Sequence, residues 1–164
     1  MTRVRTENVA IVLGALSLAL IIGALGFEYL GRLPPCEMCM WQRYPHVLAS
    51  IVGLIGGGSV AVGLLSRSLA RPIGVVTACL VAASGIIAVY HAGVEWHWWK
   101  GPSACTGGVL QMNGPIDFNA PMVMCDRAAW RMFGLSLAGY NAIISLLAAL
   151  IGLLLILRAK GRNR

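Results

Sequence analysis

The chain has 164 residues, of which 58% are hydrophobic and only 12% are charged, and its formal net charge is +7. Soluble domains carry about 25% charged residues, so this composition excludes an ordinary soluble globular domain. A net positive charge can indicate nucleic-acid binding, but here the basic residues are distributed in a way that favours another class.

Four long stretches of the chain contain no Asp, Glu, Lys or Arg. They cover residues 9–27, 44–65, 72–94 and 134–157. A helix needs about 20 apolar residues to cross a bilayer, and spanning segments are helical because their backbone must satisfy its own hydrogen bonds. We predict an all-α integral membrane protein, a single domain over 1–164 that forms a four-transmembrane-helix bundle. The first stretch is expected to be a retained helix and not a cleaved signal peptide, because no small-residue cleavage site follows it.

The basic residues predict how the bundle is oriented. Eight of the 13 lie on one side of it, before the first span, between the second and third spans, or after the fourth: Arg3, Arg5, Arg67, Arg71, Arg158, Lys160, Arg162 and Arg164. Positive charge accumulates on the cytoplasmic side of membrane proteins. Both termini are therefore expected in the cytoplasm, and the connections 28–43 and 95–133 on the opposite side. This pattern indicates contact with a lipid bilayer and no nucleic-acid partner.

The first outer connection ends in a Cys-x-x-Cys pair, Cys36 and Cys39, which follows Pro34-Pro35. Proline is accepted in a first helical turn, so the pair is expected at, or just before, the start of the second helix. Arg43 lies four residues after Cys39 and would share its helix face. A thiolate near a helix N-terminus and a fixed positive charge is stabilised.

Three interpretations of this Cys-x-x-Cys are open: a redox pair, half of a zinc site, or a structural disulfide. Structural zinc sites usually have four ligands, often from two such pairs, and the chain has no second Cys-x-x-Cys. We therefore predict no metal site. A permanent disulfide closing so short a loop would add little stability, which favours a pair that turns over.

The second outer connection carries Cys105 and Cys125. They could form a bridge that stabilises a long loop, or a second redox pair able to exchange electrons with the first. The end of this connection, residues 121–133, mixes apolar and charged residues and could form a short helix parallel to the membrane. Cys79, within the third stretch, is expected to be a small apolar core residue.

Several motifs, in chain order, resemble those of the DsbB family of disulfide-bond formation proteins. The first is Pro35-Cys36-Glu37-Met38-Cys39 followed by Gln42-Arg43; the others are Gly101-Pro102-Ser103-Ala104-Cys105, Cys125-Asp126 with Trp130, and the run from Gly134 to Asn141. The resemblance covers essentially the whole chain. Each motif is weak alone, but the combination is specific.

The resemblance implies a thiol:quinone oxidoreductase of the bacterial inner membrane, with both outer connections in the periplasm. A reduced DsbA-like oxidase with a thioredoxin fold would attack the Cys105–Cys125 disulfide at Cys105. Cys125 would then attack Cys36 of the Cys36–Cys39 disulfide. Cys39 would be released as a thiolate beside a quinone, either ubiquinone or menaquinone from the membrane pool. By the same match, Arg43 would stabilise this thiolate and the quinone as it is reduced.

Further quinone contacts are predicted at His46 and Trp41. His46 lies seven residues after Cys39, on roughly the same helix face, and an ionisable group in a span is a candidate functional residue. A histidine hydrogen-bonded within the bundle, and an interfacial anchor at Trp41, are the competing interpretations, and His91 is a case similar to His46. Two alternatives for the whole chain remain, a quinone-linked dithiol reductase of the vitamin-K-epoxide-reductase type and a membrane scaffold with structural disulfides.

Overall fold

A computed structural model describes residues 5–106 and 123–161 of the chain. Its main elements are helices α1 (Thr6–Tyr29), α2 (Glu37–Ile51), α3 (Gly57–Ala61), α4 (Ala70–Glu95) and α5 (Leu137–Gly161). Two short strands, β1 (Arg131–Met132) and β2 (Leu135–Ser136), form an antiparallel hairpin before α5. The protein is thus mostly helical, as predicted.

The second span is continuous through three elements. Helix α2 continues into a five-residue π-helical segment, Val52–Gly56, and then into α3, while a 3-10 turn, Arg67–Leu69, leads into α4. Pro45 lies inside α2 without ending it. Counted in this way, the described residues contain four helices long and apolar enough to cross a membrane: Thr6–Tyr29, Glu37–Ala61, Arg67–Glu95 and Leu137–Ala159.

The bundle is held together by close approach of small residues. A Cβ atom added to Gly53 would lie 2.5 Å from the backbone oxygen of Ala10 and 2.8 Å from the Cα of Gly14. The first and second spans therefore touch backbone to backbone, as small residues allow in membrane helices. The core includes Val9, Ala49, Val81 and other apolar residues contributed by all four spans.

Two local expectations are wrong. The short helix expected over 121–133 is not formed by residues 123–133, which are turns, two bends, irregular segments and strand β1. The reason is local: Phe133 and Gly134 have φ values of 49° and 83°, and this pair of left-handed residues makes a hairpin turn that a helix cannot contain. Cys79 is also exposed, on the outer face of α4, and is not a core residue.

Candidate functional site

Cys36 ends the extended segment before α2 and forms the N-cap of that helix. Its φ and ψ are −77° and 170°, and its Sγ accepts a hydrogen bond from the backbone N–H of Cys39 at 3.2 Å. The predicted position of the pair at the start of the second helix agrees with this geometry. The side-chain hydrogen bond with the Cys39 sulfur, followed by burial, raises the pKa of the Cys36 thiol well above its usual value, although the backbone N–H of Cys39 acts in the opposite direction.

The two outer connections meet at this pair. Cys105 and Cys125 form a disulfide with a Cα–Cα distance of 5.3 Å, whereas Cys36 and Cys39 are free thiols. Cys36, Met38, Cys105 and Cys125 are all buried in one cluster, with Cys39 packed against it. The structure thus brings the four predicted redox cysteines together, with one pair oxidised and the other reduced.

A cavity of about 360 Å³ lies beside the cysteines. One wall is apolar and comes from α1, including Leu20, Gly23 and Phe27, and α5 contributes the other side. Both Cys36 and Cys39 line it. This size falls in the range of small-molecule sites, which are mostly apolar with a few directed polar groups.

Arg43 also lines the cavity, on the same helix as Cys39 and four residues after it. Its guanidinium forms an ion pair with Glu28 at the end of α1, and both side chains are largely buried. This ion pair was not predicted, because Glu28 lies in the stretch 28–43 that was expected to be a connection outside the helices. The pair holds a positive charge in the lining of the cavity, which Cys39 shares.

A polar network from α2, α4 and α5 also lines the cavity. His46 contacts Ser17 through Nδ1 at 3.2 Å and Asn141 through Nε2 at 2.9 Å, so both of its ring nitrogens already have protein partners. Asn141 also contacts Gln42 at 2.9 Å, and Gln42 contacts His91 at 2.8 Å. Sequence reasoning assigned no role to Gln42 or Asn141, since their contact joins residues 99 positions apart.

His91 links this network to the cysteines. Its Nε2 lies 3.6 Å from Sγ of Cys36 and 3.7 Å from Oε1 of Glu95. All three side chains are buried and line the cavity. The only indication of this contact in the sequence was that His91, an ionisable residue, lies within a predicted span.

Trp41 is not brought to the cavity that the described residues form. It is partly exposed, and it lies two positions after Cys39, about 200° away around the helix. Other aromatic residues line the cavity instead. Trp130 packs between Phe27 and Tyr140, with ring centroids 5.1 and 6.2 Å away.

Comparison with known proteins gives a consistent answer. The sequence model of the family described as "Disulfide bond formation protein DsbB" matches residues 6–155. This chain belongs to the DsbB family.

Individual relatives agree with the family match. A disulfide bond formation protein B of Polaromonas sp. (strain JS666 / ATCC BAA-500) is 30% identical over 85% of this chain and 84% of its own length. The protein of the same name from Burkholderia pseudomallei (strain 1106a) is 28% identical over 98% and 95%. An uncharacterized protein of Rickettsia prowazekii, RP370, is 22% identical over 92% and 88%. No solved structure matches the chain.

Family membership decides the general activity. The chain is a multi-pass membrane oxidoreductase of disulfide bond formation with redox-active cysteines, and the family implies a DsbA-like partner. The family match therefore does not support the scaffold alternative, and it does not support a reductase of the vitamin-K-epoxide-reductase type.

Proposed function

We propose that this DsbB-family protein is a thiol:quinone oxidoreductase in which electrons pass from a DsbA-like dithiol to Cys105–Cys125, then to Cys36 and Cys39, and finally to a membrane quinone. The observation that carries the proposal is the shared site. Both cysteine pairs are packed in one buried cluster, and one of the pairs lines the cavity.

The exchange steps follow from thiol–disulfide chemistry. A thiolate of the partner attacks Cys105, and Cys125 leaves as a thiolate. Cys125 attacks Cys36 of the loop-one disulfide, which forms a Cys36–Cys125 bond and releases Cys39 as a thiolate. The partner's second thiolate then completes its own disulfide and frees Cys105. Cys105 attacks Cys125, which restores the Cys105–Cys125 bond and releases Cys36.

The net result is that loop one now holds the two electrons of the partner's dithiol. Cys39 is the sulfur that begins the transfer to the cavity, because it is the first to be released there. Its position in the first turn of α2 and the charge of Arg43 both favour a thiolate.

The residues around the cavity fit a quinone head group. Their apolar wall suits a ring and a prenyl tail, Arg43 offers donors to a carbonyl oxygen, and Cys39 lies at the same surface. A bound quinone supplies an acceptor for two electrons and two protons. Arg43 would hold one quinone oxygen near Cys39, and Glu28 would keep the guanidinium in place.

The opening of the cavity suggests how a lipid-soluble molecule enters. A Cβ atom added to Gly23 would meet no described atom within 4 Å, although Gly23 lines the cavity. Gly23 is exposed on α1, so the cavity borders open space at this position. A quinone could therefore enter from the bilayer without passing through water.

The proposed location is the bacterial inner membrane, with both termini in the cytoplasm and the cysteines at the periplasmic end. Support comes from the basic residues at the end opposite the cysteines, among them Arg67 and Arg158. Disulfide chemistry also requires a compartment that is not kept reducing.

The test is quinone reduction by the purified protein in detergent, with a reduced DsbA-type protein as electron donor. Wild type should turn over with ubiquinone or menaquinone, and Cys39→Ser and Cys105→Ser should each stop turnover. Cys79→Ser is the matched control, because Cys79 is exposed on α4 away from the cluster. If wild type is inert with every quinone tried, or if Cys39→Ser keeps its rate, the proposal is wrong.

A further inference from the structure

The donors and acceptors of the polar network can be assigned by starting from the backbone carbonyl of Met38. This oxygen can only accept, and the side-chain nitrogen of Gln42 lies 3.1 Å from it. The Gln42 amide therefore points its Nε2 toward Met38, and its Oε1 must face the other way. There Oε1 accepts from Nδ2 of Asn141 at 2.9 Å.

The second proton on Nε2 of Gln42 points to His91. Because Gln42 Nε2 donates, His91 Nδ1 at 2.8 Å must accept, and it carries no proton. The proton of a neutral imidazole then lies on Nε2. Two groups near Nε2 can accept this proton: Sγ of Cys36 at 3.6 Å and Oε1 of Glu95 at 3.7 Å.

Asn141 is itself held in one orientation. Its Nδ2 donates to Ser84 at 3.2 Å as well as to Gln42, and its Oδ1 accepts from Ser145 at 2.7 Å. His46 Nε2 lies 2.9 Å from the same Oδ1 and must donate to it. Turning either amide over would break several of these contacts at once, so the network has a single proton arrangement.

We propose that Gln42 and Asn141 are positioning residues for disulfide exchange, which hold His91 with its Nε2–H directed at the Cys36 sulfur. This inference deepens the proposed function, on which its catalytic consequence rests. The arrangement itself is a property of the chain without partner or quinone.

The consequence concerns the step in which Cys105 attacks Cys125 and Cys36 leaves. The Cys36–Cys125 bond breaks, its electron pair goes to Sγ of Cys36, and no proton is transferred at that moment. A donor already directed at this sulfur stabilises the thiolate as it forms, and a hydrogen bond to a charged group is stronger than one between neutral groups. His91 meets that requirement only in the tautomer that Gln42 selects.

The same proton placement bears on metal binding. The atoms of Cys36, Cys39 and His91 that could bind a metal lie within 4.8 Å of one another. Two cysteines and a histidine are typical ligands of a thiophilic metal. However, the ring nitrogen that faces the sulfurs is the protonated one and offers no lone pair. A ligating histidine would instead need an acceptor at its other nitrogen, where Gln42 presents a donor.

The experiment is ¹⁵N NMR of the full chain in detergent micelles, with histidine ring nitrogens labelled, the loop-one pair reduced and no quinone present. The chain has three histidines, so His46→Gln and His97→Gln variants assign the signals. His91 should show a protonated Nε2 and an unprotonated Nδ1. A protonated Nδ1, alone or together with Nε2, would overturn the proposal, whatever the quinone assay shows.

Variants test whether the two amides do the positioning. Asn141→Leu and Gln42→Leu should each allow His91 to populate both tautomers, and should lower kcat about 10- to 100-fold with a smaller change in quinone KM. Ser145→Ala is the matched control, because it removes a neighbouring contact of Asn141 but leaves the Gln42 bond. Its His91 tautomer should be unchanged. If the leucine variants are folded and keep both the tautomer and kcat, Gln42 and Asn141 are not positioning residues.

Discussion

The sulfur of Cys36 accepts the backbone N–H of Cys39 at 3.2 Å, so a redox cysteine is also the cap of the helix that carries its partner. Two substitutions of Cys36 can therefore have the same effect on turnover but different effects on stability. Cys36→Ser and Cys36→Ala should both abolish turnover, because both remove the sulfur that Cys125 attacks.

Their stabilities should differ, however. Serine is a good N-cap and alanine is a poor one, so Cys36→Ala should be less stable than Cys36→Ser by about 1 kcal/mol. Thermal unfolding of the two reduced variants in the same detergent measures the difference. Equal melting temperatures would show that the cap contributes nothing in the folded protein.

Arg43 is expected to act on quinone binding more than on thiol exchange. Arg43→Ala removes a charge-assisted donor from the lining of the cavity, and such a hydrogen bond contributes about 1.5–3 kcal/mol. The KM for quinone should therefore rise by about 10-fold or more, while the KM for the reduced partner changes little. Arg67→Ala, in the connection between α3 and α4, is the control and should leave the quinone KM unchanged.

The open space beside Gly23 allows a steric test of quinone entry. Gly23→Phe should raise the quinone KM several-fold, because the ring would fill space that the cavity leaves open. Gly26→Phe is closely matched: it is on the same helix, and a Cβ there also meets no described atom within 4 Å, but Gly26 does not line the cavity. Steady-state quinone titrations compare the two. An equal effect of both variants would place quinone entry elsewhere.

The contact of Gly53 with the first span predicts a large stability difference between two similar substitutions. Gly53→Ala would put a methyl group 2.5 Å from the Ala10 oxygen, and α1 would have to move away. Gly58→Ala meets no described atom within 4 Å, and alanine is about 1 kcal/mol better than glycine in a soluble helix. We expect the melting temperature to fall for Gly53→Ala and to stay equal or rise for Gly58→Ala. Similar melting temperatures would contradict the close packing.

The four spans and the redox motif could be predicted from the sequence, since apolar length and Cys-x-x-Cys spacing are local signals. The second helix begins at Glu37, beside the cysteine pair as the Cys-x-x-Cys and proline pattern predicted, although the charge-free stretch begins only at residue 44. Glu37 and Arg43 lie inside the helix, at its end nearest the cysteines, where charged side chains can remain in a polar setting.

Other features depend on packing and have no local signal. The ion pair of Arg43 with Glu28 and the contact of Gln42 with Asn141 join different helices. They can be seen only when the bundle is assembled.

The measurement that tests the relay most directly is disulfide mapping in two double variants. In Cys39→Ser/Cys105→Ser the remaining outer cysteines are Cys36 and Cys125, which belong to one buried cluster. Mild oxidation followed by mass spectrometry under non-reducing conditions should find the Cys36–Cys125 bond in most molecules. Cys36→Ser/Cys105→Ser, which leaves Cys39 and Cys125, should form far less of the corresponding bond. Failure of Cys36 and Cys125 to join, or equal joining in both variants, would contradict the proposed path of electrons from loop two to loop one.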